Sequence, residues 1–507
     1  MKYYLGIDIG TSGTKTALFD TSLQLVCSHT DEYPLYQPGN GYAEQEPDDW
    51  WKATVSGIRA VLQKSGVPAR DICGIGLSGQ MHGLVMLDQN DNVIRRSIIW
   101  CDQRTSKECE QITRIVGQDR LIQITMSPAV TGFTASKIMW VKNHEPNNFL
   151  RCRSILLPKD YVRFKLTGTK ATDLSDASGM QLLDISKRCW SKEILAQLDI
   201  DRDLLPALYE SPEICAYLSE EAAKLTGLIT GTPVVAGAGD NAAAAIGCGV
   251  VKPGKAFATI GTSGVVFAHT QKPIQDSKGR IHTFGSAVPG EWHVMGVTQA
   301  AGLSLKWFRD NFCNEEKERA KALGCDTYQL LDSKAAEVPI GSNRLLFLPY
   351  LMGERTPHLD PLCRGAFIGL SASHTKYDLL RAVMEGVTFS LKDCLVIFEE
   401  LGIEVDTMLA CGGGGSSPLW RQMLADVLCC SVKATTSSSG GAKGAAILAA
   451  VGTGEYSSVD KACDSAVGIS RTHEPILANS QQYQKYYALY RGLYPALKTS
   501  YEQLFKI

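Results

Sequence analysis

No apolar run in this 507-residue chain approaches the roughly 20 residues that a membrane-spanning helix needs. Neither sign of charge dominates. Fifty-one Lys and Arg stand against 53 Asp and Glu, a net charge of −2, so there is no basic footprint for nucleic acid or anionic lipid. Cys-x-x-Cys spacing is missing although the chain has sixteen cysteines, and their one close pair is Cys429-Cys430. That disfavours a zinc site or a dithiol redox motif. Scattered thiols of this kind fit buried small apolar residues of a protein kept in a reducing cytosol. The start, Met1-Lys2-Tyr3-Tyr4-Leu5-Gly6-Ile7-Asp8, turns acidic too early for a secretory signal. A cytoplasmic protein with a small-molecule partner, and neither nucleic acid nor membrane, is the expectation.

What the chain does have is a repeated string. Ile-Gly-Thr-Ser-Gly occurs at Ile9–Gly13 and again at Ile260–Gly264, about half a chain apart. Each copy ends an apolar run, Tyr4–Ile9 or Phe257–Ile260, and precedes another, Thr16–Phe19 or Val265–Ala268. The pattern predicts two strand–turn–strand units in two related halves. Glycine lets backbone approach a ligand closely, and hydroxyls with bare N–H groups suit phosphate oxygens. Two such turns could grip one polyphosphate from two sides. The competing reading, two ordinary hairpins that share a string by chance, leaves the repeated context unexplained.

The rest of the chain alternates strand-like and helix-like segments. Strands are predicted at Tyr3–Ile9, Thr16–Asp20, Leu23–Ser28, Ile72–Leu77, Gly83–Leu87, Pro233–Gly237, Ala256–Ile260, Val265–Ala268, His293–Val297, Leu345–Leu348 and Thr407–Cys411. Helices are predicted at Asp49–Gln63, Arg104–Val116, Ser136–His144, Lys159–Leu166, Asn241–Ile246, Ala300–Asn311, Tyr377–Leu401, Pro418–Cys429, Ala442–Val451 and Gln481–Leu493. The sum is an α/β fold in two lobes, 1–248 and 249–507, each a mixed sheet flanked by helices with a cleft between them.

Several residues could carry chemistry. Asp8, on a strand end beside the first turn, suits a hydrated Mg²⁺ or simply a turn cap. Lys15 could reach a phosphate or lie exposed on its strand. In Gly237-Ala238-Gly239-Asp240-Asn241 small residues carry a strand into a helix. Asp240 would then sit at a helix N-terminus, where N–H groups and the dipole favour its charged form. An anchored carboxylate could accept a hydroxyl proton; a plain N-cap is the alternative. Gly412–Gly415 would let backbone lie flat against a planar or phosphorylated ligand, and Ser439–Gly444 is either a second such cluster or a surface loop. Gly79-Gln80-Met81-His82-Gly83 offers a polar ring and an apolar wall between two strands, although a lone His there is often structural. Trp100-Cys101-Asp102-Gln103-Arg104 fits an ion pair as well as a ligand contact. Two imitations fail. Gly237-x-Gly239-x-x-Ala242 lacks the acidic residue about twenty positions on that a dinucleotide ribose needs. Gly249-x-x-x-x-Gly254-Lys255 is followed by Ala256 rather than Ser or Thr, and Pro253 removes a donor from its loop.

Together these segments resemble the FGGY family of carbohydrate kinases, within the actin-like (ribonuclease H-like) ATPase superfamily. The resemblance rests on Gly6–Ser12 and Ile260–Gly264 as two phosphate motifs and on Leu409–Ser417 as an adenosine motif. It rests also on Gly132–His144, and on Gly365–Leu370 with Asp378-Leu379 and Ala382–Glu385. Gln80–Gly83, Leu157–Tyr161, Gly239–Ala243 and Gly353–His358 are most similar to the branch that acts on xylulose. The resemblance implies ATP-dependent phosphorylation of a ketopentose at its terminal hydroxyl. It implies Met81, His82, Asp240 and Asn241 for the sugar, with Asp240 as proton acceptor, and Asp8 for Mg²⁺. It also implies Thr11, Lys15, Thr262, Gly302, Gly413 and Ser417 for ATP, and a possible homodimer. Another sugar, polyol or gluconate kinase is the nearest rival. An actin-like ATPase working on a protein partner, and a dinucleotide-dependent dehydrogenase, are rivals of different class.

Overall fold

A computed structural model describes residues 1–435 and 440–507. It contains two seven-stranded sheets. The first runs, in spatial order, Ile214–Tyr217, Pro233–Val235, Ile72–Gly79, Tyr3–Ile9, Gly13–Asp20 and Leu25–Glu32, with Ala238–Gly239 also pairing with Ile72–Gly79. The second runs His282–Gly285, Trp292–Thr298, Gly264–Thr270, Gly254–Ile260, Val405–Cys411, Ser431–Thr435 and Ile469–His473. Both centres have one plan. Tyr3–Ile9 pairs antiparallel with Gly13–Asp20 and parallel with Ile72–Gly79. Gly254–Ile260 pairs antiparallel with Gly264–Thr270 and parallel with Val405–Cys411. The two Gly-Thr-Ser-Gly turns therefore occupy equivalent places, as their shared string requires. Tyr4, Leu5, Ile7 and Ile9 are all buried: helices cover both sheet faces, so the strand is a continuous apolar run rather than an alternating one.

The equivalence continues beyond the parallel strands. Ile72–Gly79 leads into Gln80-Met81-His82, and Val405–Cys411 leads into Gly412–Gly415. Next come helices Asp240–Cys248 and Gly440–Gly452, which cross each other. Glycines allow that crossing. A Cβ on Gly444 would stand 1.8 Å from Ala243 O, and one on Gly247 would stand 2.0 Å from Gly440 O. Helix Gly440–Gly452 also lies on the first sheet, where a Cβ on Gly6 would meet Ala442 O at 1.8 Å. The second glycine cluster is thus the first turn of a buried helix and not a surface loop; its Ser439 falls outside the described residues.

The lobes meet through Met81 and Phe133 of the first, packed in one apolar cluster with Phe257, Phe267, Phe284 and Met295 of the second. The long helix Lys376–Glu400 starts from a capping box between Thr375 and Asp378. It buries Glu385 against Arg381, Ser342, Tyr483 and the N–H of Gly341. That motif is scaffold.

Candidate active site

The first turn begins at Asp8, which lies opposite Lys15 on one neighbouring strand and Ser78 on the other. Ser78 Oγ donates to Asp8 Oδ1 at 2.8 Å. Burial raises the Asp8 carboxyl above its ordinary range, against the pull of Ser78 and Lys15. Gly10 N–H closes the turn onto Gly13 O at 3.0 Å. Thr11 Oγ1 accepts from Trp100 Nε1 at 2.9 Å. Among the described residues the N–H groups of Thr11 and Ser12 have no protein acceptor.

The second turn repeats this with different supports. Gly261 N–H donates to Ser263 O at 3.1 Å, and Gly302 N–H donates to Gly261 O at 2.7 Å. Ala301 and Leu303 both donate to Thr262 O. Here too the N–H groups of Thr262 and Ser263 have no protein acceptor among the described residues. Gly302 stands directly behind the turn, since a Cβ on it would lie 2.5 Å from Gly261 O. Gly412 has φ +75° and packs on Ile260 O, whereas a Cβ on Gly413 would meet nothing within 4 Å. Gly412–Gly415 forms one helical turn and not the flat strip expected from four glycines. Ser417 Oγ caps the next helix by accepting from Trp420 N–H at 3.0 Å.

Met81 and His82 lie at the lobe boundary. Met81 is buried, and a Cβ on Gly239 would stand 2.9 Å from its Cγ, so Met81 abuts the residue before Asp240. His82 is held at φ +69°. Its Nδ1–H donates to Gly179 O at 2.8 Å. Burial, with Lys137 next, keeps the imidazole neutral far below its usual range, so Nε2 is left as an acceptor. Phe133 stacks on the ring at 4.6 Å. Thr134 Oγ1 and Lys137 Nζ both donate to His82 O, and Lys137 also to Gly132 O. The Gly132–His144 motif therefore fixes His82.

Asp240 is the first residue of its helix, with Gly239 as N-cap. Asn241 donates to Oδ1 through its backbone N–H at 2.7 Å and through Nδ2 at 3.1 Å. The helix start was expected to favour the charged carboxylate. Instead burial, with repulsion from Asp8 second, pushes the carboxyl up to about 7, because two acids share one poorly solvated space. Among the described residues no group of three or more His, Cys, Asp or Glu is placed to hold a metal. A divalent cation would rest on Asp8 together with ligand oxygens and water.

Sequence reading singled out the Trp100–Arg104 and Gly132–His144 segments but not what Trp100 and Lys137 touch: Trp100 reaches the first turn and Lys137 holds His82. Asp102 and Arg104 form the ion pair, with Asp102 also accepting from Ala43 N–H. The sixteen cysteines are free, and no described helix is long and apolar enough to cross a membrane.

This arrangement matches known proteins along most of the chain. Residues 3–247 match the N-terminal domain, and residues 256–453 the C-terminal domain, of the FGGY family of carbohydrate kinases. The chain belongs to that family. As an FGGY carbohydrate kinase it is 41% identical over 498 residues to the xylulose kinase of Bacillus subtilis, covering 98% of each chain. It is 33% identical to the gluconokinase of Bacillus licheniformis, covering 99% of this chain and 97% of that one. The solved xylulose kinase of Lactobacillus acidophilus superposes with a TM-score of 0.92 at 27% identity, covering 99% and 100% of the two chains. The expected family and two-lobed fold hold.

Proposed function

We propose that this FGGY carbohydrate kinase transfers the γ-phosphoryl group of ATP to the terminal hydroxyl of D-xylulose. The observations that carry this reading are the N–H groups of Thr11, Ser12, Thr262 and Ser263, which have no protein acceptor among the described residues, and Asp240, beside Asp8, whose carboxyl is pushed up to about 7. Backbone donors without partners suit phosphate oxygens, and a base titrating near 7 suits a hydroxyl proton. The substrate choice rests on the xylulose kinases among the relatives.

In this reading the sugar lies against Met81, with His82 Nε2 accepting a hydroxyl hydrogen and Asn241 holding Asp240. Asp240 takes the proton of the attacking hydroxyl as the phosphoryl group transfers in line. Asp8 would hold Mg²⁺, which neutralises phosphate charge when bound. Lys15 adds a point charge on the same side. Thr262, Gly413 and Ser417 line the nucleotide, Gly302 backs its second turn, and the lobes divide near residue 248. Closure around both ligands excludes water that would otherwise hydrolyse ATP. A cytoplasmic homodimer completes the proposal.

The test is an ADP-release assay across ketopentoses, polyols and gluconate. D-Xylulose should give the highest kcat/KM. Gluconate leading the panel would replace the substrate, as the gluconokinase relative allows. ADP release unchanged by any sugar would overturn the kinase reading.

A further inference from the structure

The first turn can offer its N–H groups outward only if its carbonyls are held elsewhere. A carbonyl facing the same space would repel phosphate oxygen. Three carbonyls in succession are held. Tyr33 OH donates to Gly10 O at 2.5 Å, Gln45 Nε2 to Thr11 O at 2.7 Å, and Tyr33 N–H to Ser12 O at 3.4 Å. In the second lobe the equivalent work falls to backbone: Gly302 N–H holds Gly261 O, while Ala301 and Leu303 hold Thr262 O. For Gly10 O and Thr11 O the first lobe therefore does with side chains what the second does with the start of a helix.

Gln45 is the centre of this support. It is buried, on the two-residue strand Glu44–Gln45. Its Oε1 accepts from Gln80 Nε2 at 2.7 Å and from Trp50 Nε1 at 3.3 Å. Two donors on one side fix the amide's direction, so Nε2 must face Thr11 O. Gln80 is itself tied to the first strand, its N–H donating to Ile9 O at 2.8 Å. Thr11 Oγ1 lies 3.5 Å from Gln80 Oε1 and accepts from Trp100 Nε1. The chain is continuous from Trp50 through Gln45 to the turn.

We propose that Gln45 is a positioning residue for phosphoryl transfer: its oriented amide turns the Thr11 carbonyl inward so that the Thr11 and Ser12 N–H groups face the phosphates. This rests on the reading of Ile9–Gly13 as a phosphate turn. The amide has one donor end and one acceptor end, and both are used, so an isosteric carboxylate cannot replace it while ionised. It would set a negative oxygen against Thr11 O and drive that carbonyl away. Once protonated, the same carboxyl regains an O–H that can donate to Thr11 O.

The diagnostic variant is Gln45→Glu. Near pH 8 we expect kcat/KM for ATP to fall about 100-fold, the scale of a roughly ångström misplacement, with the sugar KM within about twofold of the parent. The variant-to-parent ratio of kcat/KM for ATP should recover severalfold as pH is lowered toward 6, since the buried carboxyl takes up its proton there. Taking the ratio cancels titration of Asp240 and of ATP, which both proteins share. Tyr33→Phe removes the shorter of two donors to Gly10 O, the other being Gln80 Nε2 at 3.4 Å, adds no charge, and should raise the ATP KM by about tenfold or less. It keeps the test available if Gln45→Glu fails to fold. A Gln45→Glu enzyme with parental ATP kinetics, a loss falling equally on ATP and sugar, or a pH-independent ratio would each overturn the proposal. So would parental ATP kinetics in Tyr33→Phe. None of these touches the kinase reading, which is tested on the parent enzyme.

Discussion

A Cβ built on Gly441 would stand 2.4 Å from Oδ2 of Asp8. The first turn of helix Gly440–Gly452 thus comes so close to the carboxylate that any side chain at 441 must push it aside. The space spared is where Asp8 has an oxygen not engaged by Ser78, whose Oγ bonds Oδ1. Gly441→Ala should displace that carboxylate and raise the Mg²⁺ concentration for half-maximal activity by about tenfold or more, while kcat at saturating Mg²⁺ falls by about 100-fold. Circular dichroism should stay unchanged. Parental Mg²⁺ dependence in Gly441→Ala would remove Asp8 from the metal site.

Asp240 gives a prediction in pH. Its folded-state pKa of about 7 exceeds the ordinary carboxylate value. The unfolded chain ionises first as pH rises, so this residue costs the fold stability progressively between about pH 4 and pH 7, and the cost levels off above 7. Asp240→Asn removes the cost. In metal-free buffer the variant should unfold at a higher temperature than the parent at pH 8, with the gain shrinking toward pH 4. Its sugar phosphorylation should be nearly abolished and its nucleotide binding kept. An Asp240→Asn protein that turned over normally would take the residue out of the mechanism.

His82 is locked as a neutral acceptor by Gly179 on Nδ1 and by burial. Sugar binding through Nε2 should therefore be insensitive to pH between about 5.5 and 8 as far as this ring is concerned. His82→Asn suits the residue's positive φ and keeps a short donor, but it loses the Nε2 acceptor. The expected result is a sugar KM raised by about tenfold with the ATP KM unchanged, on the scale of one lost hydrogen bond. Isothermal titration with the sugar alone checks it, and equal affinity in both proteins would move the pocket elsewhere.

What was legible in the sequence had a local cause. The two equivalent strand–turn–strand units show because one string and its apolar flanks recur. The helix start at Asp240 shows because small residues carry a strand straight into a helix. Gln45, Trp100 and Lys137 act only through tertiary placement: Gln45 meets Thr11 from 34 positions away, and no spacing rule reports that. Glycine-rich stretches were the least readable. The same residues serve a flat loop, a helical turn such as Gly412–Gly415, or a helix packed hard on a sheet, and the choice lies in the opposing surface. Helix Leu477–Leu504 runs through Pro495, where the missing N–H predicts a stop near Leu493. The Asp240 charge state went the opposite way from expectation because a helix start is a smaller influence than burial beside a second acid.

Two glycines with opposite surroundings separate packing from ligand access. A Cβ on Gly76 would lie 1.9 Å from Ala445 O, backbone against backbone, whereas a Cβ on Gly413 would meet nothing within 4 Å. Gly76→Ala has to push helix Gly440–Gly452 off the first sheet, an overpacking that costs about 1–3 kcal/mol or more. Its urea midpoint should drop clearly, and with it the Mg²⁺ affinity, since the same helix carries Gly441. Gly413→Ala lies in a helical turn, where alanine is favoured over glycine by roughly 1 kcal/mol. Its stability should hold or rise. Its methyl would project into open space, which the proposed function gives to the nucleotide, so on that proposal the ATP KM should increase several-fold with the sugar KM unmoved. Unchanged ATP affinity in Gly413→Ala would place the nucleotide away from this turn, while a stable Gly76→Ala would mean that the helix can slide on the sheet without disturbing Asp8.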